Sequence, residues 1–253
     1  MTQSPLTTYR KLCTEFYDLE PHKDSMQALT FYMDYAQQAN GPILEPMCGT
    51  GRFLLPILNA GFEIEGFDAS PYMLEALREK YAPNAAPVWQ EFVQQLNSPK
   101  KYALIFIPYG SFGLITNHED IIRSLAILHN HLAPGGRLIM EIETVASVPQ
   151  PCGIWRRGVH MRADGSRLGL STLSSYNEQT QLFSALCRYE SILVDGTIVA
   201  TETEDYQQYL YHFDEMDRLL EPFGFSCIEK YTRYTKQPAN NHNAPLLIYE
   251  CVK

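Results

Sequence analysis

Hydrophobic and polar positions follow two different patterns along the chain. Over the first 145 residues, short apolar runs alternate with longer segments in which apolar residues recur at helical spacing. The apolar runs predict five strands, at 42–47, 62–68, 86–92, 102–110 and 137–143. The amphipathic segments predict helices at 1–40, 50–60, 70–81 and 118–136. Strands that alternate with helices through short loops are typical of a parallel sheet wrapped by helices.

After residue 145 the pattern changes to runs rich in β-branched and aromatic residues. Asp-Gly pairs at 164–165 and 195–196 separate these runs, and Asp-Gly between two such runs is a strong two-residue hairpin signal. The runs predict an antiparallel sheet at 147–211. A helix at 212–225 and two closing strands, 226–235 and 245–252, then return to the first pattern.

The chain therefore divides into three parts. A helical segment occupies 1–40, an α/β core occupies 41–146 and 212–253, and the antiparallel sheet at 147–211 is an insertion between the fifth strand and the following helix. Within the core, Pro56 lies inside a predicted helix and is expected to kink it or to remove one backbone hydrogen bond.

Charge and composition narrow the range of partners. The formal net charge is −9, whereas a nucleic-acid-binding surface is basic, so we expect neither a nucleic-acid partner nor an anionic membrane surface. The chain contains no run of about 18 apolar residues, which is the length that a membrane-spanning helix requires. The N-terminus has no apolar signal core, and the six cysteines lack metal-ligand spacing, which indicates a cytoplasmic protein with reduced thiols and no metal site.

Two acidic residues end the first two strands of the predicted core. Glu45 closes the first strand and Asp68 closes the second, and the carboxyl ends of parallel strands meet at the ligand-binding edge of such a sheet. Gly49 and Gly51 follow the first strand, where glycine lets a ligand approach the backbone closely. A cationic nucleoside would suit this edge, since Glu45 can face an ammonium or sulfonium group and Asp68 can accept both hydroxyls of a ribose.

Two other nucleotide sites fit the glycine-rich turn less well. The dinucleotide fingerprint requires a third glycine where Leu54 stands, so an NAD(P)-dependent oxidoreductase is disfavoured. A phosphate-binding P-loop requires lysine after its glycine, and Arg52 follows Gly51 here. The turn therefore favours a ligand without phosphate.

The stretches ILEPMCGTGR (43–52) and GFDASPYML (66–74) resemble motif I and the second-strand acidic motif of class I S-adenosylmethionine (SAM)-dependent methyltransferases. The resemblance covers about 43–145, and 212–253 fits the topology of that family. It implies a Rossmann-like, doubly wound, seven-stranded α/β sheet with SAM as cofactor. Met47 departs from the family, which usually has glycine there. The inserted sheet resembles the cap of small-molecule members, including sugar N-methyltransferases and glycine N-methyltransferase.

The resemblance also implies which residues surround the cofactor. These are Tyr17, Glu45, Met47, Gly49, Gly51, Asp68, Ala69, Met73, Glu91, Phe92, Pro108 and Tyr109. Glu45 is implied near the methionine end, Asp68 at the ribose, and Tyr17 on an N-terminal lid. Arg52 either reaches the cofactor carboxylate or lies solvated on its helix, and both alternatives stay open.

The loop at 107–120 is expected to form the wall of the acceptor site. Candidate substrate residues are Ser111, Phe112, Glu143 and Trp155, and candidate catalytic residues are Tyr109 and His118. Phe112 could equally be core, and His118 could simply be a surface residue at the start of a helix. Glu141 and Glu143 share one face of the fifth strand. One of them could attract a cationic amine, and equally both could be hydrogen-bonded carboxylates at the end of a strand.

The inserted sheet carries a further candidate cation site. The Asp195-Gly196 turn places Tyr189 opposite Glu202, and an aromatic ring beside a carboxylate can bind a cation, although half-buried packing is the default for such residues. The same sheet could mediate a homodimer.

The sequence as a whole predicts an enzyme that transfers a methyl group from SAM to nitrogen or oxygen of a small-molecule acceptor. The transfer would be an in-line displacement, which requires alignment more than a catalytic triad. Two alternatives stay open: a protein or peptide methyltransferase, and a non-catalytic SAM-binding protein of the same fold.

Overall fold

The computed structural model describes residues 6–20, 24–81 and 86–253. Residues 1–5 and 21–23 of the predicted N-terminal helical segment lie outside the described residues, and so do 82–85. The predicted third strand, 86–92, is described throughout. The helices are α1 Lys11–Leu19, α2 Ser25–Gln38, α3 Leu54–Asn59, α4 Pro71–Lys80, α5 His118–His131 and α6 Glu215–Leu220. None of these helices is long and apolar enough to cross a membrane.

The strands form two separate sheets. The larger sheet contains β1 Ile43–Pro46, β2 Ile64–Asp68, β3 Val88–Gln90, β4 Tyr102–Ile107, β5 Leu132–Glu143, β10 Cys227–Thr232, β11 Gln237–Pro238 and β12 Leu246–Val252. The smaller sheet contains β6 Trp155–Met161, β7 Arg167–Asn177, β8 Leu182–Ile192 and β9 Ile198–Tyr209. The predicted α/β class with an inserted antiparallel sheet is confirmed.

The larger sheet has the order β11-β10-β12-β5-β4-β1-β2-β3. The strands from β3 to β5 are parallel, and β12 lies antiparallel between β5 and β10. The seven strands that the resemblance implies are all present, and the eighth, β11, is a two-residue edge strand. The chain order reverses between β1 and β4, which opens a crevice at the carboxyl ends of these strands.

Both faces of the sheet are buried, which explains the unbroken apolar run of β4. Ile105 and Ile107 belong to the core on the face covered by α5 and α6, whereas Leu104 and Phe106 belong to the core on the face covered by α2 and α4. A strand buried on both faces needs apolar residues at every position rather than at alternate ones.

The helix predicted at 50–60 is shorter than the pattern indicates. It begins at Leu54, so Pro56 lies in its first turn. The N–H groups of Leu55 and Ile57 donate to the carbonyls of Gly51 and Phe53 at 3.0 and 3.2 Å, and Pro56 between them has no N–H to donate. Pro56 thus removes one backbone hydrogen bond, which is one of the two effects expected from the sequence. Two other helices are also shorter than predicted. The helix predicted at 118–136 ends before β5, which begins at Leu132. The helix predicted at 212–225 is α6 followed by a 3-10 turn that ends at Gly224.

Both predicted hairpins of the inserted sheet are present, with loops of three residues rather than two. The loops are 163–165 and 194–196, and Gly165 and Gly196 adopt φ angles of +83° and +94°. In each, the glycine closes a tight turn in the left-handed region that glycine tolerates. A bulge between Ser191 and Ile192 then restores the register, so that Tyr189 lies opposite Glu202, as predicted.

Helix α1 packs against the inserted sheet. Leu12, Cys13 and Phe16 form a hydrophobic cluster with residues of β7 and β8, and Phe16 contacts the edge of Tyr189. Tyr189 is thus buried in this packing. The structure therefore places it in a packing role and not beside an open cation site.

Two carboxylates of β9 bind the backbone at the start of α1. Glu204 accepts hydrogen bonds from the N–H groups of Tyr9 and Arg10 at 2.9 and 2.8 Å, and Glu202 accepts one from Leu12 at 2.8 Å. Such carboxylates satisfy unpaired N–H groups and interact favourably with the helix dipole. This hydrogen bond to the start of α1 accounts for the place of Glu202 opposite Tyr189.

Ser70 is the N-cap of α4. Its hydroxyl accepts a hydrogen bond from Met73 N–H at 3.2 Å and donates one to the carbonyl of Tyr9 at 2.6 Å. We expect Ser70→Ala to lower the free energy of unfolding by about 1 kcal/mol, the usual cost of a lost cap. Urea denaturation measures this loss. Ser175→Ala, at an exposed strand position, should change it by less than about 0.5 kcal/mol, and equal losses would contradict the capping role.

Candidate active site

The carboxyl ends of β1 and β2 are joined through Asp68. Gly49 N–H donates a hydrogen bond to Asp68 Oδ2 and Ser70 N–H donates one to Asp68 Oδ1, each at 2.8 Å. The backbone of Met47 and Gly49 turns through the left-handed region, with φ angles of +58° and +54°. Burial raises the pKa of Asp68, and the backbone N–H groups oppose that rise. Asp68 thus fixes the glycine-rich turn as well as offering an acceptor to a ligand.

A cavity of about 660 Å³ opens beside this turn. Its size lies within the range of small-molecule sites. Of the predicted cofactor and substrate residues, those that line it are Tyr17, Met47, Gly49, Asp68, Ala69, Met73, Glu91, Phe92, Tyr109, Ser111 and Glu143. They come from the ends of several strands and from α1, and the fold brings them to one place.

Six predicted site residues are not among the residues that line the cavity: Glu45, Gly51, Pro108, Phe112, His118 and Trp155. Glu45 is 1% exposed, and the N–H of Leu54 donates to its carboxylate at the start of α3. Burial raises its pKa strongly. Gly51 packs between helices, because a Cβ there would lie 2.8 Å from Leu55 Cγ and 2.9 Å from Leu77 Cγ. Its lack of a side chain serves helix packing here.

The other residues of this group lie in the core or at the surface. Pro108 and Phe112 are buried, and Phe112 belongs to the core beneath α5. His118 is an exposed first residue of α5, as its alternative interpretation expected. Trp155 is 56% exposed on the edge strand β6. The acceptor roles expected for Phe112 and Trp155 therefore find no support in their positions.

The structure adds lining residues that the sequence did not single out. They include Tyr9, Asp24, Asn117, Asp120, Asp205, Tyr206, Gln207 and Tyr234. They precede α1 and α2, begin α5, lie on β9 and follow β10. No local motif marks them, and only Asn117 and Asp120 fall within the loop at 107–120 that was expected to form the acceptor wall.

The Tyr17-Asp18 pair rests on the glycine-rich turn. Asp18 accepts a hydrogen bond from Thr50 Oγ1 at 2.6 Å and forms an ion pair with Lys80 at 2.7 Å. Arg52 donates to the carbonyl of Tyr17 at 3.0 Å, and its guanidinium lies 4.6 Å from the centre of the Tyr17 ring. Burial raises the pKa of Tyr17 to about 12. Arg52 thus contacts the predicted lid.

Glu141 has the most buried carboxylate at the cavity, with an exposure of 0%. Its Oε1 accepts a hydrogen bond from Tyr32 Oη at 2.7 Å, and its Oε2 accepts one from Tyr234 Oη at 3.0 Å. The backbone N–H of Tyr109 also donates to this carboxylate. Burial nevertheless raises the pKa of Glu141 to about 7, because its three donors only partly replace the lost water.

Glu143 lies two residues further along β5, on the same face. Gln208 from β9 donates a hydrogen bond to its carboxylate, and burial raises its pKa. Gly110 adopts a φ of +67°, and a Cβ there would lie 2.8 Å from Glu143 Cγ. The absence of a side chain at Gly110 therefore makes room for Glu143.

Negative charge dominates the cavity. Seven carboxylates line it, from Asp24, Asp68, Glu91, Asp120, Glu141, Glu143 and Asp205. The part of the lining that the structure describes contains no lysine, arginine or histidine. Such a site attracts cations and disfavours phosphate groups.

Comparison with known proteins agrees with this geometry. Residues 43–136 match a family model described as a methyltransferase domain. A curated relative, the putative methyltransferase YqeM of Bacillus subtilis (strain 168), is 22% identical over 117 residues, which make up 46% of this chain and 47% of that protein. The chain thus spans about half the length of the curated relative that it matches.

Solved structures share the fold over nearly the whole chain. The CcbJ methyltransferase from Streptomyces caelestis has a TM-score of 0.77 at 21% identity and covers 97% of both chains. The sugar N-methyltransferase KedS8 from Streptoalloteichus sp ATCC 53650 has a TM-score of 0.77 at 16% identity, over 100% of this chain and 97% of its own. Other structures of this fold contain bound SAM or S-adenosylhomocysteine.

Proposed function

We propose that the chain is a class I SAM-dependent methyltransferase that methylates nitrogen of a small-molecule amine. SAM is the cofactor of this family. The observation that carries the choice of acceptor is the cavity lined by seven carboxylates. A protonated amine is concentrated in such a site, whereas a neutral hydroxyl gains little from it.

The cofactor half of the proposal rests on the residues beside the glycine-rich turn. Asp68 accepts the ribose hydroxyls, since its buried carboxylate has acceptor capacity beyond the two backbone N–H groups. Glu91 and Phe92 lie beside the adenine. The positive sulfonium faces the rings of Tyr17 and Tyr109, because aromatic faces attract cations. SAM supplies an activated methyl group when it is bound.

The acceptor half rests on Glu141, Glu143 and the facing strand β9. These two carboxylates end β5, and Tyr206 and Gln207 of β9 line the cavity from the other side. The inserted sheet thereby forms the roof of the acceptor site. KedS8, which has this fold throughout, is a sugar N-methyltransferase, and its overall likeness supports a small-molecule acceptor.

Alignment of the two reactants is the main contribution of the protein to the reaction. Holding an amine in line with the methyl carbon can supply roughly 7–11 kcal/mol of the barrier. The contacts of α1 with β9 and with the glycine-rich turn close the cavity on one side and help to exclude water. Glu143 holds the ammonium form of the acceptor near the methyl group.

The test is methyl transfer to amines and to hydroxyl compounds of the same shape. Purified protein with SAM is supplied with cyclohexylamine or cyclohexanol, and with glucosamine or glucose, and S-adenosylhomocysteine is measured by mass spectrometry. We expect transfer to amines at least about tenfold faster than to the matched hydroxyl compounds, with the methyl group on nitrogen. A preference for hydroxyl compounds, or for peptide or protein acceptors over both amines, would overturn the proposal.

A further inference from the structure

The two carboxylates at the end of β5 have different surroundings. Glu141 is fully buried and receives hydrogen bonds from uncharged donors, the hydroxyls of Tyr32 and Tyr234. Glu143 is less buried and is held by Gln208. When the environments of two neighbouring carboxyl groups differ in this way, they divide acid and base roles between them.

Gln208 is oriented so that it stabilises the charged form of Glu143. Tyr206 Oη donates to Gln208 Oε1 at 2.8 Å, which turns the amide nitrogen of Gln208 toward Glu143 and the carbonyl of Gly110. An amide N–H that points at a carboxylate favours its ionised form. Burial raises the pKa of Glu143, and the hydrogen bonds from Ser147 and Gln208 oppose that rise, so the less buried of the two carboxylates is the one suited to hold a positive charge.

Glu141 is suited to take a proton. Among the described residues, neither the hydrogen-bond partners of Glu141 nor the lining of the cavity includes a lysine, arginine or histidine, so no cationic side chain there balances its negative charge. Protonation removes a buried charge while leaving one carboxyl oxygen free to accept from the tyrosines. The other facing groups are acidic or phenolic: Glu143 on its own strand, Tyr32 from α2, Tyr109 after β4, and Tyr234 from the segment after β10.

We propose that Glu141 is the proton acceptor in methyl transfer, with Tyr32 and Tyr234 as the residues that position it and stabilise its charged form. This inference rests on the proposed methylation of an amine. An ammonium has no lone pair, so it must lose a proton before it can attack a methyl group. The carboxylate of Glu141 lies in the same cavity as Glu143, which holds the ammonium.

The step balances in atoms and charge. One N–H bond of the acceptor ammonium breaks, and its proton passes to the carboxylate of Glu141. The freed lone pair forms a bond to the methyl carbon, and the bond between that carbon and sulfur breaks. Its electron pair stays on sulfur, which leaves neutral S-adenosylhomocysteine and a methylated ammonium.

The first arm of the test is the pH dependence of kcat/KM for cyclohexylamine. We expect the wild type to lose activity as pH falls below about 7, because the protonated carboxyl can no longer accept a proton. Glu141→Gln should lower the rate at neutral pH by about 100-fold or more and remove this dependence. Tyr234→Phe should shift the loss of activity to a higher pH, because the charged carboxylate of Glu141 loses a hydrogen-bond donor.

The second arm uses aniline, which has a similar shape but is uncharged at neutral pH. An uncharged amine needs no proton acceptor before attack, so the ratio of wild-type to Glu141→Gln rates should be at least about tenfold smaller for aniline than for cyclohexylamine. A residue that only shapes the cavity would reduce both rates equally. SAM affinity, measured by calorimetry, should change by less than about threefold.

Glu250 and Tyr231 provide the matched controls. Glu250 on β12 also accepts hydrogen bonds from two tyrosines, Tyr35 and Tyr231, but is not among the residues that line the cavity. Glu250→Gln and Tyr231→Phe should leave the pH dependence unchanged. If the wild type methylates amines and Glu141→Gln keeps the rate and pH profile, the inference is wrong while the proposed function stands. A wild type that methylates neither amine overturns both.

Discussion

Asp68→Ala should weaken SAM binding by about 100-fold or more, whereas Arg52→Ala should weaken it by less than about fivefold. Asp68 is expected to accept the ribose hydroxyls, and it also accepts the N–H groups of Gly49 and Ser70 at 2.8 Å each. Hydrogen bonds to a charged group are worth about 1.5–3 kcal/mol each, and a 100-fold loss corresponds to about 2.7 kcal/mol. Titration calorimetry with SAM measures both variants.

Arg52→Ala is the informative control because Arg52 belongs to the same turn and contacts the predicted lid. It binds the carbonyl and ring of Tyr17 but is not among the cavity-lining residues. Circular dichroism must show that both variants remain folded, since Asp68 also ties β1 to β2. Equal losses of affinity in two folded variants would contradict the assignment of Asp68 to the ribose.

The stability of the wild type relative to Glu141→Gln should fall by about 3 kcal/mol as pH rises from 4.5 to 7. The pKa of Glu141 is raised from 4.5 to about 7 in the folded protein, mainly by burial. Between these values the folded state keeps a proton that the unfolded state has released, so increasing pH favours unfolding. The contribution of Glu141 to the stability of the wild type is complete below pH 4.5 and is lost above about pH 7. The magnitude follows from 1.36 kcal/mol per pKa unit.

Urea denaturation of both proteins at a series of pH values measures this difference. Other buried carboxylates, among them Glu45 and Asp68, are present in both proteins, and their contributions cancel in the comparison. A difference that stays constant, or that grows in favour of the wild type with pH, would show that Glu141 is ionised throughout this range in the folded state.

Local sequence signals determined the core of the fold. Apolar runs alternate with amphipathic segments, and the run of β4 is unbroken. This pattern predicts strands that are buried on both faces, because burial depends directly on side-chain polarity. Ser70 and Pro71 fix the start of α4 because capping is a contact within one turn. The Asp-Gly pairs located both hairpins. Loop length and the bulge before Ile192 were decided by the pairing of whole strands, which a dipeptide does not encode.

The cofactor half of the site was predictable for the same reason. The glycine-rich turn and Asp68 lie within 26 residues of one another in a recurring motif, and the structure joins them by a direct hydrogen bond from Gly49. The motif does not distinguish the residues that line the cavity from those that lie beneath it. Gly51 and Glu45 belong to the motif, yet one packs against α4 and the other binds the start of α3.

The acceptor half was decided by the tertiary structure. Strand alternation placed Glu141 and Glu143 on one face, but their different environments come from α2, from β9 and from the segment after β10. These partners lie roughly 65–110 residues away in sequence. Burial and hydrogen bonding determine the pKa of a carboxyl group, and both are properties of the assembled neighbours. The sequence thus specified which groups the site contains, and packing determined the chemistry available to each.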